Sequence, residues 1–233
     1  MIALAAAASE PLTFDTPWSE IPALLLPAYG ETWAMVGIVM VFVVAFGGIG
    51  GVLLYNTSSR GLFPHPRWHG VLSWVANMGR SLPFLVLMAA IIPFTAWITG
   101  TTLGIRAAVV PMVIAGVPFF ARLVQNTLND LPRENLAVGL VTGSSPVQII
   151  LQTQLREAVP GLVSALTLNT ISMLEYSAIA GTIGAGGIGY LAVTYGYQRF
   201  DMTVMAATIV VLIVSVQLVQ FAGDRLARSL ERP

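Results

Sequence analysis

VTGSSPVQIILQTQLREAVPG, residues 141–161, carries three Gln, two Ser, two Pro, Arg156 and Glu157, and it is flanked by segments apolar enough to dissolve in lipid. Such an insert makes sense if its neighbours cross a membrane and it joins them outside the hydrocarbon, where water can satisfy its polar groups. Composition supports that reading. The chain is 56% hydrophobic and 9% charged, against about 25% charged in an ordinary soluble domain, so it cannot cover its own surface with polar groups. It reads as an all-α integral membrane protein, multi-pass and in contact with lipid.

Working outward from the insert, charge-free length divides the chain into five spans. Thr32–Tyr55 runs 24 residues without a charge, more than the ~20 that cross a hydrocarbon core. Within it, Gly47–Gly51 (GGIGG) offers a small-residue face for close helix packing. The second span covers about 71–98, with Pro83 and Pro93 as kinks, and the third about 107–127, with Arg122 placed to snorkel towards the interface. The fourth begins near Pro160 and covers about 160–181, and the fifth covers about 202–222. These spans lie in one transmembrane domain, 32–223, with a lead-in at 1–31, a polar loop at 129–159 and a tail at 224–233. MIALAAAASEP lacks the basic start of a secretion signal, so 1–31 reads as an external lead-in.

Five spans place 56–70, 128–160 and the tail on one side, with Arg60, Arg67, Arg133, Arg156, Arg225, Arg228 and Arg232. The other side holds only Arg106 and Arg199, and 1–31 has no Arg. The positive-inside rule then puts the N-terminus outside and the C-terminus and the polar insert in the cytoplasm.

The residue inventory excludes several chemistries. All eleven cationic residues are Arg, so no P-loop lysine or Schiff-base lysine exists and any ATP must be bound by another chain. A net charge of zero argues against a nucleic-acid partner, and the absence of Cys removes disulfides and thiolate metal sites. His65 and His69 have zinc-like spacing only on a helix, which Pro66 and Gly70 disfavour, so they read as loop residues and no metal is expected. GAGGIG, Gly184–Gly189, matches G-x-G-x-x-G but follows no strand; it reads as a tight glycine turn between helices. No residue set suggests catalysis, so the chain is not expected to be an enzyme.

Glu175 stands out because 17 uncharged residues precede it and 23 follow. About 22 Å along a helix from Pro160, its carboxylate would cost several kcal/mol facing lipid. Three readings stay open: it hydrogen-bonds within the subunit, it faces a polar cavity with Tyr176 and Ser177 and meets a ligand's amino group, or the helix boundary lies elsewhere and leaves it near the outer interface.

These segments resemble the permease subunits of bacterial ABC importers, and most closely the methionine type. The resemblance covers about 29–230 and is carried by GETWAM (30–35), GRSLPFLVL (79–87), IIPFT (91–95), VPFFARLVQNTL (117–128), YSAIAGTIGAGGIG (176–189), YGY (195–197) and VQFAGDRLAR (219–228). It implies the type I permease fold, in the bacterial inner membrane. It also implies a homodimer working by alternating access, with an ATP-binding cassette ATPase dimer inside, a substrate-binding protein outside, and methionine or a related small amino acid derivative as cargo. The polar insert then corresponds to the family's ATPase-docking loop. Gly143 matches its turn glycine, and Ser144, Ser145, Pro146, Glu157, Pro160 and Gly161 match its second half. The first half departs: the family's leading Glu falls at Ala137, followed by Val138 and Gly139, with Glu134 as a substitute carboxylate upstream; a Pro expected before Glu157 is Arg156. An ion-coupled carrier or channel working without an ATPase is the alternative; it would favour inverted repeats and intramembrane charge pairs, which the sequence lacks.

Overall fold

The computed structural model describes residues 15–132 and 143–231. Helices account for its regular structure, and there is no strand among the described residues. α1, Ile21–Thr57, is one 37-residue rod with a π-helical turn at Val43–Gly47. At about 55 Å it is longer than the ~30 Å a hydrocarbon core requires. It begins eleven residues before Thr32, because Glu31, the charge that ends the apolar run, sits inside the helix.

The second expected span is broken. α2 (Pro66–Ser81) and α3 (Phe84–Ala90) meet at 96°, and α4 (Ile92–Thr99) follows. Pro83 has no N–H to continue the helix and forces its predecessor out of helical geometry; Leu82 lies at φ −99°, ψ 136°. The kink expected at Pro83 is therefore a corner. The loop reading of His65 and His69 is also corrected: Pro66 opens α2 at a position where its missing N–H costs nothing, and the His65 ring accepts the Trp68 N–H as N-cap. His69 lies within that helix, its Nδ1 3.0 Å from the Leu54 carbonyl. No group of three or more His, Cys, Asp or Glu among the described residues is placed to hold a metal.

α5 (Gly104–Asn129) packs against α1, α2 and α6 and is the most buried of the long helices. Glycines set its distance from α1. A Cβ on Gly51 would lie 2.5 Å from Val124 Cβ and 2.6 Å from the Ala121 carbonyl, and one on Gly47 would lie 2.9 Å from the Val117 carbonyl, so the small-residue face is a helix–helix contact. Arg122 does not snorkel. It reaches across to α2, donating to the Ser73 carbonyl (2.9 Å) and Asn77 Oδ1 (3.1 Å), and to Gln125 Oε1 on its own helix (2.6 Å). Polar acceptors on a neighbouring helix replace water for a guanidinium on a helix that is otherwise apolar.

α6, Pro146–Gly181, is 36 residues long. α7 (Gly187–Tyr190) continues as a π-helical turn, Leu191–Tyr197, and α8 (Met202–Leu230) closes the bundle. Among the described residues four helices, α1, α5, α6 and α8, are long and apolar enough to cross a membrane, and the bent α2–α3 pair supplies a fifth span if counted as one. The core lies where α1, α5 and α6 meet, around Met35, Val39, Met112 and Met173, all fully buried. Many large apolar side chains face outward, among them Val41, Ile49, Trp97 and Phe221, as suits helices solvated by lipid.

Candidate functional site: a docking turn and the helix behind it

The polar insert is not a loop separate from the fourth span. It forms the first turns of α6, and Pro160 lies inside that helix. Gly143 precedes it at φ 74°, the left-handed conformation that glycine enters without strain. Ser145 then caps the helix: its Oγ accepts the Gln148 N–H while Gln148 Oε1 accepts the Ser145 N–H at 2.8 Å, a reciprocal capping box with Pro146 in the first turn. Ser145, Pro146, Val147 and Gln148 are exposed and Ser144 is half-buried, so the turn stands clear of the bundle. Glu134, Ala137 and Gly139 lie outside the described residues.

Behind the turn, α6 widens into a π-helical segment, Ile149–Gln154, then continues as α-helix from Leu155. Glu157 is exposed on this stretch. Gly161 is a packing residue: a Cβ there would lie 2.5 Å from Thr127 Cγ2 on α5. The exposed turn and the long apolar helix are thus one rod.

Further along α6, the three candidate pathway residues point different ways. Glu175 is exposed and has no hydrogen-bond partner among the described residues. Successive residues turn about 100° on an α-helix, so the outward-facing Ser164 and Leu168 lie on the same side as Glu175. Tyr176 is half-buried, its ring stacked on Phe84 of α3 with centroids 4.3 Å apart. Ser177 is buried in the core and donates to the Leu174 carbonyl, so it does not join Glu175 on one surface.

At the opposite end of the bundle, Gly184, Gly186 and Gly187 all have positive φ. The N-terminus of α7 that they create is filled by this chain itself: Glu31 Oε2 accepts the Gly187 N–H at 2.7 Å and Thr32 Oγ1 the Ile188 N–H at 3.0 Å. A carboxylate satisfies the helix N-terminus here. Nearby, Asp201 caps α8 through Val204 N–H and accepts both the N–H and the hydroxyl of Thr16. Burial works to raise the Asp201 pKa, but these hydrogen bonds outweigh it and hold the carboxyl below its usual range.

Comparison with known proteins places these features. The family of binding-protein-dependent transport system inner membrane components matches residues 47–232. The probable D-methionine transport system permease protein MetI of Vibrio cholerae is 43% identical over 208 residues, covering 89% of this chain and 92% of that protein. The D-methionine transport system permease protein MetI of Escherichia coli K12 is 39% identical over 209 residues, covering 90% and 96%. A crystal structure of the MetNI methionine ABC transporter in an inward-facing conformation superposes with a TM-score of 0.90 at 38% identity, covering 93% of this chain and all of the matched chain.

Proposed function

The chain belongs to the family of binding-protein-dependent transport system inner membrane components, and on that footing we propose that it is the permease subunit of an ATP-driven importer of methionine or a related small amino acid derivative. Two copies enclose the pathway, a separate ATPase pair docks on the cytoplasmic side, and a binding protein delivers cargo from outside. The arginine distribution supports an external N-terminus and a cytoplasmic docking turn.

The observation that carries this reading is the continuity of the capped, exposed turn at Ser145–Gln148 with the 36-residue α6. A partner that grips the turn moves a helix crossing the whole membrane, because a hydrogen-bonded rod transmits displacement that a flexible tether would absorb. ATP binding closes the ATPase pair, the two docked turns move together, and the helices rock to open the cavity outward. The chain itself performs no covalent chemistry and holds no cofactor. Glu175 supports the two-copy pathway: an exposed carboxylate on a spanning helix is stabilised only where a second copy or a water-filled cavity covers it.

Reconstitution tests the assignment. Vesicles holding this chain, its ATPase and its binding protein take up labelled methionine when ATP is present, and omission of any one component stops uptake. Uptake by vesicles containing this chain alone contradicts the proposal.

A further inference from the structure

Asn56, at the end of α1, and Gln154, at the end of the π-helical segment of α6, are 98 residues apart in sequence, yet their side-chain amides pair reciprocally. Asn56 Nδ2 donates to Gln154 Oε1 at 3.0 Å and Gln154 Nε2 donates to Asn56 Oδ1 at 2.9 Å. Both are buried, Gln154 completely. Asn56 Nδ2 also donates to the Val52 carbonyl, and Asn56 Oδ1 also accepts the Leu62 N–H, so every hydrogen-bonding position of this amide is occupied. The connector after α1 is drawn in as well: Phe63 N–H bonds the Asn56 carbonyl and Arg60 Nη1 the Asn129 carbonyl at the end of α5.

We propose that the Asn56–Gln154 pair is a latch that makes α1 move with the ATPase-docking turn, so that Asn56 and Gln154 are positioning residues for coupling. This rests on the permease reading above. Three features support it. Gln154 stands only six residues beyond the capping box, so the latch grips the base of the docking turn. The wider π turn shifts the phase of the residues that follow, which turns Gln154 towards α1. Finally, α1 and α6 also border an open apolar cleft of about 540 Å³, between Gly48, Ile49 and Val52 on one side and Leu155, Val159 and Leu162 on the other. The cleft separates the two helices over this stretch, so their direct apolar packing lies further along, around Met35, Val39 and Met173, and beside the docking turn the amide pair is what joins them. Two antiparallel hydrogen bonds between planar amides fix both spacing and register, which apolar contact does not. A push on the docking turn then reaches the membrane by two rods, α6 through its own backbone and α1 through the latch.

The test compares the reconstituted complex of chain, ATPase and binding protein with the same complex carrying Asn56→Val and Gln154→Leu together, which removes both side-chain amides at once and takes from the connector only the long 3.4 Å bond of the Leu62 N–H. Molecules of labelled methionine taken up per ATP hydrolysed are measured with the melting temperature of the complex. The latch predicts that this ratio falls about fivefold or more, the scale of an ordinary coupling between sites, with the melting temperature close to that of the parent. An unchanged ratio overturns the latch, and so does failure of the double variant to assemble, which would make the pair a folding determinant. Absence of ATP-driven uptake in the parent complex would instead refute the permease assignment.

Discussion

Replacing Gly143 separates the conformational demand of the docking turn from its packing. Its φ of 74° costs an L-residue about 1–2 kcal/mol, more for a β-branched one and less for Asn, whose side chain bonds locally. A Cβ at Gly143 would meet nothing within 4 Å among the described residues, so no steric clash adds to this cost. The expected order is therefore set by backbone preference: Asn close to Gly, Ala intermediate and Val lowest. If Val costs about 2 kcal/mol, the population holding the turn in docking geometry falls about thirtyfold relative to Gly. The bundle can relax by letting the turn go, so the loss appears in transport rather than in folding. Uptake per ATP hydrolysed in reconstituted vesicles, measured for Gly143→Asn, Gly143→Ala and Gly143→Val beside thermal unfolding, checks this. Equal coupling in the Val and Asn variants would refute the argument that the left-handed turn positions the docking surface.

Gly48→Ala and Gly51→Ala form a matched pair on α1. A Cβ on Gly48 meets nothing within 4 Å, whereas one on Gly51 runs into Val124 and the Ala121 carbonyl, so Gly48→Ala should stabilise by about 0.5–1 kcal/mol and Gly51→Ala should destabilise by about 1–3 kcal/mol, read as opposite shifts in detergent melting temperature. The Asp201 carboxyl is held below its usual range, so its contribution is fully present at neutral pH and is lost only as pH falls beneath the ordinary carboxylate range, through the lowered folded-state value. Hydrogen exchange at the Thr16 amide should therefore stay protected through the ordinary carboxylate range and lose that protection only at more acid pH; protection with no such acid transition contradicts the assignment.

The path from residues to fold was open in some places and closed in others for physical reasons. The apolar runs at 107–127 and 202–222 lie inside α5 and α8, whose charged residues sit towards the helix ends. Charge-free length misplaced the start of α1 because Glu31 is spent capping α7, a contact 156 residues away. It misplaced the start of α6 because three Gln looked like loop. One of them, Gln148, was legible as a cap, since Ser145, Pro146 and Gln148 spell a capping box with proline at the first helical position. Gln154 was not legible, because its burial depends on Asn56 on a different helix. Pro83 announced a disruption, but the 96° corner depends on what α2 and α3 pack against. Arg122 looked like a snorkelling residue because its acceptors, Ser73 and Asn77, are more than 40 residues distant. Gly143 was legible through the family resemblance, which marks it as a turn glycine, and its φ of 74° is a conformation that glycine enters without strain.

The most direct test of a two-copy, ATP-driven pathway uses the absence of native cysteine. Glu175→Cys introduces a single thiol at the exposed position on α6, so any disulfide between copies joins that thiol to its own counterpart across the two-fold axis. In complexes oxidised first without nucleotide and then with ATP trapped on a hydrolysis-deficient ATPase, the disulfide-linked dimer should form, and its yield should change between the two states as the helices rock. Absence of the disulfide-linked dimer from both states, in complexes that remain assembled, would contradict a seam at which the α6 helices of two copies face each other.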